Sequence, residues 1–271
     1  MAVLGNGDSA GSFSSGCVEA AIVAEALDVL RVGRPRMARF GQGSDYIDIR
    51  LPCGGGMDVL FTPDPPVDVL EKAMACLDAR QPILLHFDSA GPLEISPGRT
   101  LATPGWENGI FTVGRVPPLR LVLLGHGAEM LTSSQLARSF GAQVELYSPD
   151  LNLVDAGSAE GLKSVHLLSP GSPAGLQGDA WTAFLFLFHD HDWEPALIAQ
   201  ALDTQAFWIG AMGSPRTQAA RRAALAGHGV AEKAIARVHG PVGLIPGSRD
   251  PATLALSALA EIVAAYEAAA R

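Results

Sequence analysis

The sequence predicts an α/β protein: a C-terminal Rossmann-like parallel sheet preceded by a smaller α+β N-terminal domain. Three observations predict it. After Arg120, short apolar runs alternate with longer stretches of helical period, the rhythm of a parallel sheet covered on both faces. Two of the runs lead into glycine-bearing turns that open helices, at Gly125-His126-Gly127 and at Gly210-Ala211-Met212-Gly213. Just before the rhythm changes stands Arg115-Val116-Pro117-Pro118-Leu119, where two prolines stiffen the chain and stop a preceding element from continuing. The expected domains are therefore residues 1–114 and 115–271.

Taken in order, Val18 to Val32 is apolar at helical spacing and Gly33 closes it. Arg36 to Phe40 and Tyr46 to Arg50 read as strands around a Gly-Gln-Gly-Ser turn, and Met57 to Phe61 as another. Val67 to Arg80 is a helix after Pro65-Pro66. Pro82 to Phe87, Leu93 to Ser96 and Ile110 to Val113 are short strands between Gly/Pro turns. Beyond the linker, Leu121 to Leu124 is an apolar run typical of a buried parallel strand. Val144 to Tyr147, Val165 to Leu168, Ala183 to Phe188 and Phe207 to Ile209 follow as strands. Glu129 to Phe140, Pro195 to Leu202, Arg216 to Ala226 and Pro251 to Ala270 are helices.

Composition narrows the function. The chain has 271 residues, 48% of them hydrophobic and 17% charged, which is ample for a core. A net charge of −9 argues against a nucleic-acid partner, which wants a basic face. No apolar run nears the ~20 residues that span a bilayer, and the first residues lack the basic start and apolar stretch of a signal peptide. Three cysteines give no disulfide framework, so a reducing cytoplasm is the natural setting.

The chemistry-bearing residues sit at glycine turns. Cys17, in Ser14-Ser15-Gly16-Cys17-Val18-Glu19, lies at the start of the first helix, where unpaired amides and the dipole favour a thiolate. A small buried hydrophobe is the alternative. Cys53 precedes Gly54, Gly55 and Gly56, which let backbone amides close around an anion; a tight turn with an incidental thiol is equally consistent. Cys76 falls on the apolar spacing of its helix and reads as core.

Gly125 and Gly127 have the strand-to-helix context of a dinucleotide fingerprint, but Met130 replaces its third glycine. The place where an acid would meet a ribose falls by register on Ser148, and the acid comes two residues late, at Asp150. The fold signal is therefore stronger than the NAD(P) signal. His189-Asp190-His191-Asp192 follows a strand, where ligands of open sheets collect. Alternate residues leaving a strand point opposite ways, so the two histidines do not suit one metal ion. Ser214 reads as a helix N-cap before Pro215, with Arg216 aimed at an anion held there. Gly213 and Gly243, the latter in His239-Gly240-Pro241-Val242-Gly243-Leu244, complete a set of loops expected to share one crevice.

Together these motifs resemble the XdhC/CoxI family of maturation factors for xanthine and carbon monoxide dehydrogenases. The resemblance rests on Ser15-Gly16-Cys17-Val18-Glu19, Leu51-Pro52-Cys53-Gly54-Gly55, Gly125-His126-Gly127, His189-Asp190-His191, Ile209 to Ser214 with Arg216-Thr217, and His239 to Leu244. The motifs keep the family's order and span nearly the whole chain. The chain departs from the family at Ser15, where glycine is usual, and at Ile245, where an acid is common. Met1-Ala2-Val3 also falls where members already have a strand with a further segment before it.

The resemblance implies a molybdenum cofactor-binding chaperone rather than an enzyme. It would protect the sulfurated cofactor and deliver it to an apo xanthine dehydrogenase or related molybdoenzyme, with a cysteine desulfurase as a further partner and a homodimer as its form. Cys17 and Cys53 would be the thiols on the molybdenum side. The phosphate would go to glycine loops and helix starts, drawing on Gly54, Gly55, Gly125, Gly127, His189, Gly213, Ser214, Arg216 and Gly243. An NAD(P)-dependent oxidoreductase and a non-binding recruitment scaffold are the alternatives.

Overall fold

A computed structural model of the chain describes residues 1–13, 16, 18–44, 51, 54–98, 104–171, 174–248 and 250–270. Cys17, Cys53 and the strand expected at 46–50 lie outside the described residues. The chain divides into two compact units, Met1–Val116 and Pro117–Arg271.

The first unit begins with a minimal antiparallel pair, β1 (Ala2–Val3) and β2 (Ser9–Ala10). Helix α1 (Glu19–Val32) ends at Gly33, whose left-handed backbone returns an N–H to the Val29 carbonyl. Strands β3 (Arg36–Gly41) and β4 (Gly56–Phe61) pair antiparallel, with Arg36 opposite Phe61 and Gly41 opposite Gly56. Ile22 and Val29 of α1 pack with Phe40, Val59 and Phe61 of this pair into a small core. Helix α2 (Val67–Asp78) precedes an antiparallel sheet of β5 (Ile83–Asp88), β6 (Leu93–Pro97), β7 (Gly105–Glu107) and β8 (Ile110–Arg115), ordered β6-β5-β8-β7.

The second unit carries one parallel sheet. Its elements are β9 (Arg120–Gly125), α3 (Ala128–Ser139), β10 (Gln143–Ser148), α4 (Leu151–Ala159), β11 (Lys163–His166), β12 (Thr182–Leu187), α5 (Glu194–Leu202), β13 (Trp208–Ala211), α6 (Pro215–Gly227), α7 (Glu232–Ile235), β14 (Val238–His239) and α8 (Pro251–Ala269). The strand order is β11-β10-β9-β12-β13-β14, all parallel. Relative to the unit's own chain order that is 3-2-1-4-5-6, the doubly wound Rossmann arrangement.

The pleat sorts the core. Leu121 and Leu123 of β9 face one layer with Met130, Leu185, Leu187, Leu259 and Ile262. Val122 and Leu124 face the other with Phe184, Phe186, Leu197, Ile198 and Leu225, as alternation along a strand requires. All six residues of β12 are buried, which is why that stretch is unbroken hydrophobic sequence save for Thr182.

Three expectations change here. Helix α4 has no strong helical signal, since Asn152, Asp155, Gly157 and Ser158 are poor helix formers. Asp150 starts it by accepting the Asn152 N–H at 2.9 Å, and Leu153 and Gly157 give it a buried side. Helix α8 is long and apolar enough to cross a membrane by length and composition, with a mean hydropathy of 1.4. Its length matches the helix expected at Pro251 to Ala270, against the expectation of no apolar run near that length. In the fold it buries Ala255, Ala258, Leu259 and Ile262 and packs on α3. Cys76 is half-buried and lines a surface groove with Lys72, Pro82 and Gly98 rather than sitting in the core.

Candidate ligand-binding site

The strand order reverses direction between β9 and β12, and open sheets of this kind bind ligands beyond the carboxyl ends of the strands at that switch. Gly125 ends β9 there. A Cβ on it would stand 2.4 Å from the Leu187 carbonyl oxygen of β12, so only glycine lets the two strand ends lie side by side. Gly127 follows with φ +101° and begins α3. A Cβ there would meet the Glu129 carboxylate at 2.6 Å and His189 Nε2 at 3.7 Å. Met130, in place of a third glycine, is wholly buried in the sheet's core.

Beside these turns opens a cavity of about 500 Å³ lined by Glu129, Phe188, His189, His191, Met212, Gly213 and Gly243, among others. His189, Gly213 and Gly243 therefore meet in one space, fed by the ends of β12, β13 and β14. Gly127 borders it through Glu129 and His189, and Gly125 does not line it. Ser214 caps α6, its Oγ accepting the Thr217 N–H at 3.1 Å. Arg216 is exposed in the same turn and is not among the lining residues.

The first unit holds the remaining expected residues. Gly54 donates its N–H to Leu51 O at 2.8 Å, and the Gly55 carbonyl accepts from Gln42 N–H at 2.9 Å. Glu19, in the first turn of α1, accepts the backbone N–H groups of Phe13, Gly16 and Val18 at 3.1, 2.9 and 3.2 Å. The chain on either side of Cys17 is thus folded onto a carboxylate.

Three histidine–glutamate couples stand along the carboxyl edge of the second unit's sheet. His189 Nε2 lies 3.6 Å from Glu129 Oε1, His191 Nδ1 3.3 Å from Glu194 Oε1, and His239 Nδ1 3.5 Å from Glu261 Oε1. They are not equivalent. Glu194 is buried and bound through both oxygens by buried Arg221, at 2.8 and 3.0 Å. Arg221 also donates to the Met212 carbonyl at 2.7 Å and to Gln218, and Gln218 reaches the Val238 carbonyl at 3.1 Å. This network links the start of α5 to Met212 after β13 and to Val238 of β14. Glu261 of α8 accepts the Gly243 N–H at 2.6 Å, and Ser257 Oγ accepts the Ile245 N–H at 2.7 Å, fixing the outer loop. His239 stacks on Trp208 with centroids 5.3 Å apart.

Sequence reasoning missed Glu129, Glu194, Arg221 and Glu261, and passed over His126, whose ring packs between Phe188 and His189 at 5.8 and 5.6 Å. Of the glutamates only Glu194 carried a local signal, standing three residues after His191; Glu129 and Glu261 are brought to their histidines by the fold alone.

On the β10 side, Ser148 is buried and accepts the Asp150 N–H at 3.1 Å, while Asp150 is occupied in capping α4. The position that holds a ribose in NAD folds thus offers no carboxylate. Next to it, burial and the neighbouring Glu145 push the Tyr147 phenol above its ordinary value. Among the described residues no group of three or more His, Cys, Asp or Glu is disposed to hold a metal ion.

Comparison with known proteins agrees with this fold. A family description of the XdhC Rossmann domain matches residues 121–262, and one of the XdhC and CoxI family matches residues 1–41. The molybdenum cofactor insertion chaperone PaoD of Escherichia coli is 34% identical over 267 residues, covering 97% of this chain and 76% of that protein. The uncharacterized protein YqeB of Escherichia coli is 26% identical over 268 residues, 97% of this chain but 39% of its own length. A crystal structure of a xanthine dehydrogenase from Bacillus halodurans superposes with a TM-score of 0.76 at 17% identity, covering 97% of this chain and 84% of that one. That last likeness is one of fold.

Proposed function

This chain belongs to the XdhC and CoxI family, and from that premise we propose that it binds molybdenum cofactor, protects its sulfurated form and delivers it to an apo xanthine dehydrogenase-type molybdoenzyme. The observation that carries the reading is the 34% identity, across 97% of the chain, to a protein named as a molybdenum cofactor insertion chaperone. The cavity supports it physically. It is roomy at about 500 Å³ and open, as a carrier that must release its cargo requires.

In this reading Cys17 and Cys53 supply soft thiols toward molybdenum or its terminal sulfur, and the protein works as a cytoplasmic homodimer that meets a cysteine desulfurase as well as its client. Protein purified from a cofactor-producing host should carry molybdenum and pterin fluorescence near one per chain, with a micromolar affinity suited to release. Cys17→Ala and Cys53→Ala should lower the molybdenum retained, and Cys76→Ala should not. Saturable binding of NAD with none of molybdopterin would overturn the chaperone reading in favour of an oxidoreductase.

A further inference from the structure

We propose that Glu129 reads the aminopyrimidinone edge of the pterin, so that the cargo's flat ring, rather than its phosphate, occupies the cavity at the switch of the sheet. The proposal rests on the molybdenum-cofactor reading above and assigns a place and a polarity to it.

The argument begins with the three carboxylates of this edge. Glu194 is saturated by Arg221. Glu261 is engaged by the Gly243 N–H and faces His239. Glu129 accepts no hydrogen bond among the described residues, and its nearest ion-pair neighbour, His189 Nε2, stands off at 3.6 Å. Its side chain is only 13% exposed and lines the cavity. A carboxylate is an acceptor with about four lone-pair sites, and one in a confined, partly apolar cavity has few protein donors to fill them. A ligand that brings donors fills those sites.

The same carboxylate also excludes the alternative. Glu129 Oε2 lies over Gly127 at the start of α3, the place where Rossmann folds seat a phosphate. A phosphate there would meet a negative charge at contact distance, and like charges at such range repel strongly in a partly desolvated site. The preferred group therefore presents two adjacent N–H donors and no negative charge. The pterin's N3–H and 2-amino group form such a pair, spaced for the two oxygens of one carboxylate, the bidentate geometry that carboxylates favour. Phe188, Met212, Val242 and Leu254 supply apolar walls for a flat ring.

The test compares free pterin with lumazine, which differs by an oxo group in place of the 2-amino group and so turns one donor into an acceptor. Both are titrated into the full chain by ligand fluorescence, with inorganic pyrophosphate as competitor. Pterin should bind at least about tenfold more tightly than lumazine, the size of one charge-assisted hydrogen bond, and pyrophosphate should not displace it. Glu129→Gln should erase the preference while keeping a cooperative thermal transition. Equal affinities for the two rings in the wild-type chain overturn the proposal without any variant, as does a lack of saturable pterin binding or its displacement by pyrophosphate. A pterin preference that survives in Glu129→Gln does so too. Wild-type protein that carries molybdopterin from its host yet fails these comparisons overturns the edge reading alone, whereas protein that carries none overturns the chaperone reading beneath it.

Discussion

Glu194 and Arg221 show how much a single pair can govern. Each side chain is 1% exposed, and removing one partner strands the other's charge in the interior. Arg221→Met should cost about 3–5 kcal/mol, read from urea unfolding, while adding Glu194→Met should restore much of that loss. A single variant within about 1 kcal/mol of wild type would mean the pair is effectively solvated. Neither residue was legible as buried. An acid at a helix start and an arginine in an alanine-rich helix both read as surface, and their burial arises only where α5 meets α6. The glycines at 125, 127, 213 and 243 were legible because a turn or a close approach constrains its own residue. Cys76 failed for the opposite reason: helical spacing names a face but not how tightly that face is covered.

Elements with strong period or clear punctuation were readable, and α4, held chiefly by its cap, was not. Helix α4 exists through Asp150, so Asp150→Ala should lower stability by about 1 kcal/mol in denaturant unfolding and leave cofactor retention unchanged. Lost retention would return Asp150 to the binding site. Strands as short as β14 and β7 carry no period to detect, and pairing alone defines them. Helix α8 is capped by Asp250, whose carboxyl is held below its ordinary value of 3.8 chiefly by the Thr253 N–H. A carboxyl lowered by folding contributes stability that is present above its unfolded value and lost as pH falls through the folded one. Asp250→Asn keeps a capping oxygen that does not titrate, so its Tm should fall less steeply than wild type below pH 3.8. Equal slopes would show that the cap does not contribute to acid sensitivity.

At the scale of the molecule, the chain divides between Val116 and Pro117, within the proline-bearing segment 115–119. The second unit closes on itself: Tyr266 Oη of α8 donates to the Pro117 carbonyl at 2.6 Å and its ring packs edge-on against Trp181. Residues 117–271 expressed alone should therefore unfold in one cooperative transition by circular dichroism, and a broad, featureless melt would refute their independence. The wholly buried strand β12, paired on both sides by β9 and β13, has a consequence in time. Its amides should exchange with deuterium only when the whole unit opens, whereas those at 189–191 and 243–248 should exchange through small local openings. A guest in the cavity would then come and go on the clock of the rim, and the strand ends that orient it would stay assembled through many such visits.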